Sequence, residues 1–132
     1  MRETAEEFIK RKKQEFEREL KDPKKLIKFK HMESTKKNKL YVKFKREAWT
    51  FLKQHNLEWK VFSVERLRCI DIDKRIKDNG KTRIGDIEYR FGYWVISNKR
   101  KKWWWGQFCP LIHIKDWEKL ISKAKKEGTL IP

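Results

Sequence analysis

The chain has 132 residues, the length of one ordinary domain, and carries 36 Lys and Arg against 19 Asp and Glu, a formal net charge of +17. Five Gly and three Pro exclude a collagen or a low-complexity linker, and no apolar run approaches the roughly 18 residues that a membrane-crossing helix needs. Charged residues make up 42% of the chain, which resembles a disordered composition, but seven Trp, eight Phe and three Tyr supply enough apolar surface for one compact core.

Thr4-Ala5-Glu6-Glu7 has the pattern of a capping box, and Ala5, Phe8, Ile9, Phe16 and Leu20 follow at helical spacing. The opposite side carries Arg11, Lys13, Glu17 and Lys21, and the Asp22-Pro23 step stops the run. An amphipathic helix over residues 4–21 is expected, with an apolar face that must dock on this domain or on a second copy.

Leu26 to Met32 and Leu40 to Lys45 alternate apolar and basic residues around the polar connection Glu33 to Asn38, the pattern of a β-hairpin with one wet, basic face. Residues 46–56 are expected as a short helix with Ala48, Trp49 and Leu52 inward. Trp59 to Asp73 is rich in β-formers and is expected as one long bent strand or two. Asp78-Asn79-Gly80-Lys81 is a turn signal. Ile84 to Ser97 is the strongest strand of the chain. It leads through Asn98 to Lys101 into a strand over 102–108 that Pro110 closes. Asp116 is placed to cap a helix over 117–127, with Trp117, Leu120, Ile121 and Ala124 inward and Gly128 at the C′ position. The coarse order α-ββ-α-β(β)-ββ-α predicts an α+β domain spanning 1–132. Its mostly antiparallel curved sheet is one that can close into a small barrel, with an N-terminal and a C-terminal helix packed on it.

The segment from Arg90 to Phe108 is the richest in chemistry. With Asn98 to Lys101 as the loop, counting outward pairs Ile96 with Trp103, Val95 with Trp104, Trp94 with Trp105 and Tyr93 with Gly106. Alternation then sorts two faces. Phe91, Tyr93, Val95, Trp104 and Phe108 are purely apolar or aromatic and are expected in the core. Arg90, Gly92, Trp94, Ile96, Trp103, Trp105 and Gln107 mix indoles with a guanidinium and a carboxamide. Trp94, Trp103 and Trp105 are expected more exposed, or lining a cavity beside Arg90 and Gln107. A glycine in mid-strand leaves room over a neighbouring ring.

The hairpin tip holds Lys99, Arg100, Lys101 and Lys102, four consecutive cations that a purely structural hairpin does not need. Such a tip can hold a phosphate backbone while indoles stack on bases, with Arg90 and Gln107 reading a base edge. The competing reading of the same tryptophans is a sheet buried on both faces beneath the two helices.

Charge favours the polyanion. Residues 1–45 carry 16 basic and 8 acidic side chains and residues 91–132 carry nine and three, so both ends are more basic than the middle. The expected function is a small basic, tryptophan-rich nucleic-acid-binding domain, for DNA or RNA, since no sequence feature reports on a 2′-hydroxyl.

Two alternatives stand beside it. One is a metal-dependent nuclease using Asp71, Asp73, Asp86 or Glu88; Glu58-Trp59-Lys60 has the Glu-x-Lys spacing of restriction-type nucleases, with no Asp on a preceding strand. The other is a protein-interaction module forming a homodimer through residues 4–21. No catalytic residue, cofactor or resident metal is assigned: His31, His55 and His113 lack zinc-ligand spacing, and no phosphate-binding or nucleophile-elbow motif occurs. Cys109, beside Pro110 and apolar neighbours, is expected as a buried structural thiol. Cys69 and Cys109 form no C-x-x-C pair, and the opening residues Arg2, Glu3 and Glu6 do not read as a secretory signal. Free thiols, a cytoplasmic location and no membrane partner are therefore expected.

Overall fold

The computed structural model describes residues 2–106 and 109–132; Gln107 and Phe108, one expected to read a base and the other to sit in the core, lie outside the described residues. Helix α1 spans Ala5–Lys21 and starts on the capping box: the Thr4 side chain accepts from the Glu7 amide at 3.1 Å and the Glu7 carboxylate accepts from the Thr4 amide at 3.0 Å. The Thr4 amide first, and then the Thr4 hydroxyl, hold the Glu7 carboxyl below its ordinary pKa. At the far end the Lys45 ammonium donates to the carbonyls of Glu19 and Asp22, each at 2.6 Å, satisfying groups that a helix C-terminus leaves open.

The sheet is an antiparallel meander in chain order: β1 (Ile27–Lys30), β2 (Tyr41–Lys53), β3 (Lys60–Ile72), β4 (Ile87–Val95) and β5 (Trp104–Trp105). It curls into a half-barrel, and helix α2 (Ile114–Lys126) follows it, an α+β fold as the element order implied. The long segment 59–73 is a single strand. No helix among the described residues is long and apolar enough to cross a membrane.

The short helix expected over 46–56 is instead the second half of β2. Trp49, Thr50, Phe51 and Leu52 stand opposite Glu65, Val64, Ser63 and Phe62 of β3. The spacing of Ala48, Trp49 and Leu52 that suggests one helical face serves two sheet faces: Trp49 packs toward α1 and Leu52 toward α2. Long-range pairing overrides a local period too short to decide. Just before this, Arg46 pairs with Leu67 and Ala48 with Arg66, so Glu47 is an extra residue in the ladder. This bulge shifts the alternation by one, which lets both Arg46 and Trp49 face α1, and it bends the strand.

The two helices cover opposite faces. Ala5, Phe8 and Phe16 of α1 bury against Phe51, Val61, Ile96 and Trp103. Leu120 and Ala124 of α2 bury against Phe62 and Val64, with Tyr93 and Leu52 alongside. The apolar side of α1, which the sequence left in need of a partner, is thus covered within the chain.

Helix α2 begins three residues earlier than expected, and His113, not Asp116, caps it by accepting from the Lys115 amide through Nδ1 at 3.1 Å. Asp116 is 1% exposed and reaches the other way, accepting from the His55 amide at 3.2 Å and meeting His55 Nδ1 at 2.8 Å. It ties the β2–β3 turn to α2 instead of capping the helix. Gly128 follows the helix at φ +80°, the left-handed conformation expected of a C′ glycine. Thr50 and Thr129, both 1% exposed or less, meet at 2.8 Å and fasten the segment after α2 to β2.

Candidate nucleic-acid interface

The register counted from the loop holds: Trp94 pairs with Trp105 and Val95 with Trp104. The assignment of the two faces is reversed. Trp103, expected near a ligand, is 8% exposed; its ring stacks on Phe8 at 4.6 Å and its Nε1–H donates to the Glu3 carbonyl at 3.2 Å. Ile96 is 3% exposed beside it, and Trp94 packs on the same cluster with Phe8 at 5.4 Å and the Lys12 ammonium 4.6 Å from its ring centre. The reason is α1. An amphipathic helix needs a wide apolar surface beneath it, and the indole-rich face supplies that surface.

The face expected in the core is only partly covered by α2 and opens at the hairpin. Trp104 and Val95 are half-buried, and Phe91 is 37% exposed with its ring 5.7 Å from Trp117. Tyr93, Val95 and Trp104 line a groove of about 620 Å³ together with Trp59 from the start of β3, and Arg2 and Arg100 are among its lining residues. Trp59 is 42% exposed. Arg100 lies over Trp104, its guanidinium carbon 4.8 Å from the ring centre, and Arg2 Nη1 donates to Asn98 Oδ1 at 2.9 Å. Lys99, Lys101 and Lys102 are exposed beside them on the same hairpin tip. The Lys60 ammonium stands 5.1 Å from the Tyr93 ring centre, and burial holds it below the ordinary lysine pKa.

Two glycines make the packing of this hairpin possible. A Cβ on Gly106 would stand 2.1 Å from Tyr93 Cε2, and one on Gly92 would stand 2.1 Å from Trp105 Cη2. Each glycine lets a ring from the paired strand lie flat across the backbone, as the mid-strand glycines suggested. Trp105 fills the space over Gly92 on the α1 side, edge-on to Trp94 at 5.0 Å. Arg90 lies over Trp105 at 4.9 Å, and its Nε–H donates to Glu65 at 2.6 Å. Glu65 is 1% exposed and also accepts from Arg46, which reaches on to Glu19 at 2.7 Å. Arg90 therefore holds a buried carboxylate in place instead of being presented to a base edge. The sequence signals missed were Trp59 and Arg2, far from the hairpin in the chain and brought to it only by folding.

Two acids of the nuclease alternative, Asp73 and Asp86, have partners nearby in the chain, as does Glu58 of the Glu-x-Lys triplet. Asp73 is held well below the usual carboxylate range, at a pKa of about 2, first by the Arg75 guanidinium and then by the Arg75 amide. Asp86 accepts from the Arg83 amide at 2.9 Å, and Glu58 pairs with Lys53 at 2.7 Å. Among the described residues no three His, Cys, Asp or Glu side chains come together as a metal site. Both cysteines are free; Cys69 is buried among Phe44 and Leu67, and Cys109, expected buried, is exposed. No protein-family model, curated protein or solved structure matches the chain.

Proposed function

We propose that this protein binds nucleic acid by seating an unpaired base in the groove between Trp59, Tyr93 and Trp104 while the cations around it hold the adjoining phosphates. The observation that carries the reading is the composition of that groove: three aromatic rings with Arg2 and Arg100 among the lining residues, and Lys99, Lys101 and Lys102 exposed nearby. Aromatic rings stack on any base because every base has a π-face, and lysine and arginine supply the sequence-independent attraction. In a duplex those π-faces are already stacked, so the groove calls for a single strand or an extruded base. The aromatic rings and cations of the groove match base faces and phosphates, which DNA and RNA share. The +17 charge adds long-range attraction for a polyanion. Binding of this kind calls for no catalytic residue and no cofactor. It suits a cytoplasmic protein that meets its partner where two free thiols stay reduced.

The test is a fluorescence and anisotropy titration with single-stranded oligonucleotides at several salt concentrations. Binding should fall steeply with salt, and Trp104→Ala should weaken it by about 1–3 kcal/mol, the worth of one stacked base. Affinity that is flat in salt, or unchanged by Trp104→Ala, overturns the reading.

A further inference from the structure

The β1–β2 hairpin carries a second concentration of positive charge at the opposite end of the sheet. Lys28 stands directly across from Lys43, and Lys30 across from Tyr41. Their neighbours Ile27, Val42 and Phe44 turn to the other side, where they pack with Leu67 and Cys69. The lysines therefore share the sheet face that bears the groove. Lys39 comes so close to Lys30 that the second ammonium, by contact and by repulsion, holds Lys39 below its ordinary pKa. Among the described residues none of Lys28, Lys30, Lys39 and Lys43 forms an ion pair. The acids close by are engaged elsewhere: Asp73 with Arg75, and Glu33 with the amides of Lys77 and Asp78 at 2.9 and 2.8 Å. Asp71, opposite Lys43, is the remaining counter-charge on the ladder.

Like charges directly opposite one another weaken a sheet. Repulsion of this kind is relieved when a polyanion lies across both, and ammonium groups suit phosphates as point charges but lack the planar fork that reads base edges. From Lys43 to Lys53, which pairs with Val61 two residues from Trp59, β2 runs on the order of 30 Å at about 3.3 Å per residue, with α2 lying over Thr50 and Leu52 between the two ends. We propose that Lys28, Lys30, Lys39 and Lys43 form a second contact for the phosphodiester backbone of the same nucleic acid, which passes from the aromatic groove over the outer surface of helix α2, where Lys115, Lys119, Lys125 and Lys126 are exposed, to the β1–β2 hairpin. The proposal rests on the groove reading and adds to it a direction and a minimum length of bound strand.

The experiment compares single-stranded oligonucleotides of about four and about sixteen nucleotides, the span of known single-strand site sizes, on the full chain and on a variant carrying Lys28→Gln, Lys30→Gln, Lys39→Gln and Lys43→Gln. The short oligonucleotide, filling only the groove, should bind both proteins equally. The long one should lose about tenfold or more on the variant, and its salt slope should shrink by roughly 0.7 for each phosphate that the variant no longer neutralises. A single exposed substitution, Lys28→Glu, guards against a folding artefact. It turns a repulsive pair into an attractive one, so the melting temperature should hold or rise while long-strand affinity falls. If the long strand binds variant and parent equally, the ladder proposal is overturned and the groove reading stands. If the parent binds neither oligonucleotide, both fall together. If the variants lose binding only to anionic lipid vesicles, the ladder serves a membrane surface and the proposal is overturned.

Discussion

Tyr93 lies across Gly106 so closely that no side chain fits between them: a Cβ would stand 2.1 Å from the ring, while the Gly106 amide donates to the Tyr93 carbonyl at 2.8 Å. The aromatic floor of the groove thus depends on the absence of an atom. Gly106→Ala should push the tyrosine ring off its seat, costing about 1–3 kcal/mol in overpacking, and should weaken oligonucleotide binding with it. Chemical denaturation and anisotropy titrations check the two effects. A Gly106→Ala protein as stable and as tight-binding as the parent contradicts this geometry.

Adjacent tryptophans should behave oppositely. Trp103 is 8% exposed and stacked under α1, so Trp103→Ala should cost about 3–5 kcal/mol of stability. Trp104, half-buried under Arg100, faces the groove, so Trp104→Ala should leave the fold intact and weaken binding instead. Urea unfolding of the two variants side by side measures the contrast, and equal losses of stability would mean that both indoles are scaffold.

Glu65 is held between two guanidiniums at 1% exposure. Glu65→Gln removes the charge that both Arg46 and Arg90 face, and an uncompensated partner of a buried pair costs roughly 3–5 kcal/mol. The expected outcome is a large drop in melting temperature, and combining Glu65→Gln with Arg90→Gln should recover part of it. A neutral Glu65→Gln would show that water already reaches this network.

Asp73 gives a pH signature. Its folded pKa of about 2 lies below its ordinary 3.8, with Arg75 as the cause. A depressed carboxyl contributes stability that is present above the unfolded value and lost as pH falls through the folded one. The loss should fall between about pH 4 and pH 2, and it should be small, because the pair lies at the surface. Carboxyl NMR should place the Asp73 midpoint near 2, and Arg75→Ala should return it toward the ordinary range. A midpoint near 4 in the parent chain would remove the ion pair.

Local chemistry was legible wherever neighbours in sequence settle the question. Thr4 and Glu7 mark the start of α1 because a capping box closes within four residues. The Asn98–Lys101 loop sets the register of Trp94 with Trp105, because cross-strand partners follow from counting outward once a tight turn is placed. Gly128 takes its left-handed conformation because the residue after a helix requires it.

Alternation along the hairpin divides Phe91 to Trp105 into two sets of side chains, but it does not say which set meets a helix. That choice was made by α1, far upstream, whose Phe8 takes Trp103 and leaves Trp104 to the groove. In the same way Ala48, Trp49 and Leu52 have a spacing that a helix and a strand both accommodate, and pairing with β3 decides for the strand. Trp59 and Arg2 reach the groove only when β3 and the segment before α1 are folded against the hairpin. A sequence carries its local periods in its own neighbours, whereas burial is a property of two surfaces meeting, and the tertiary structure alone determines which surfaces meet.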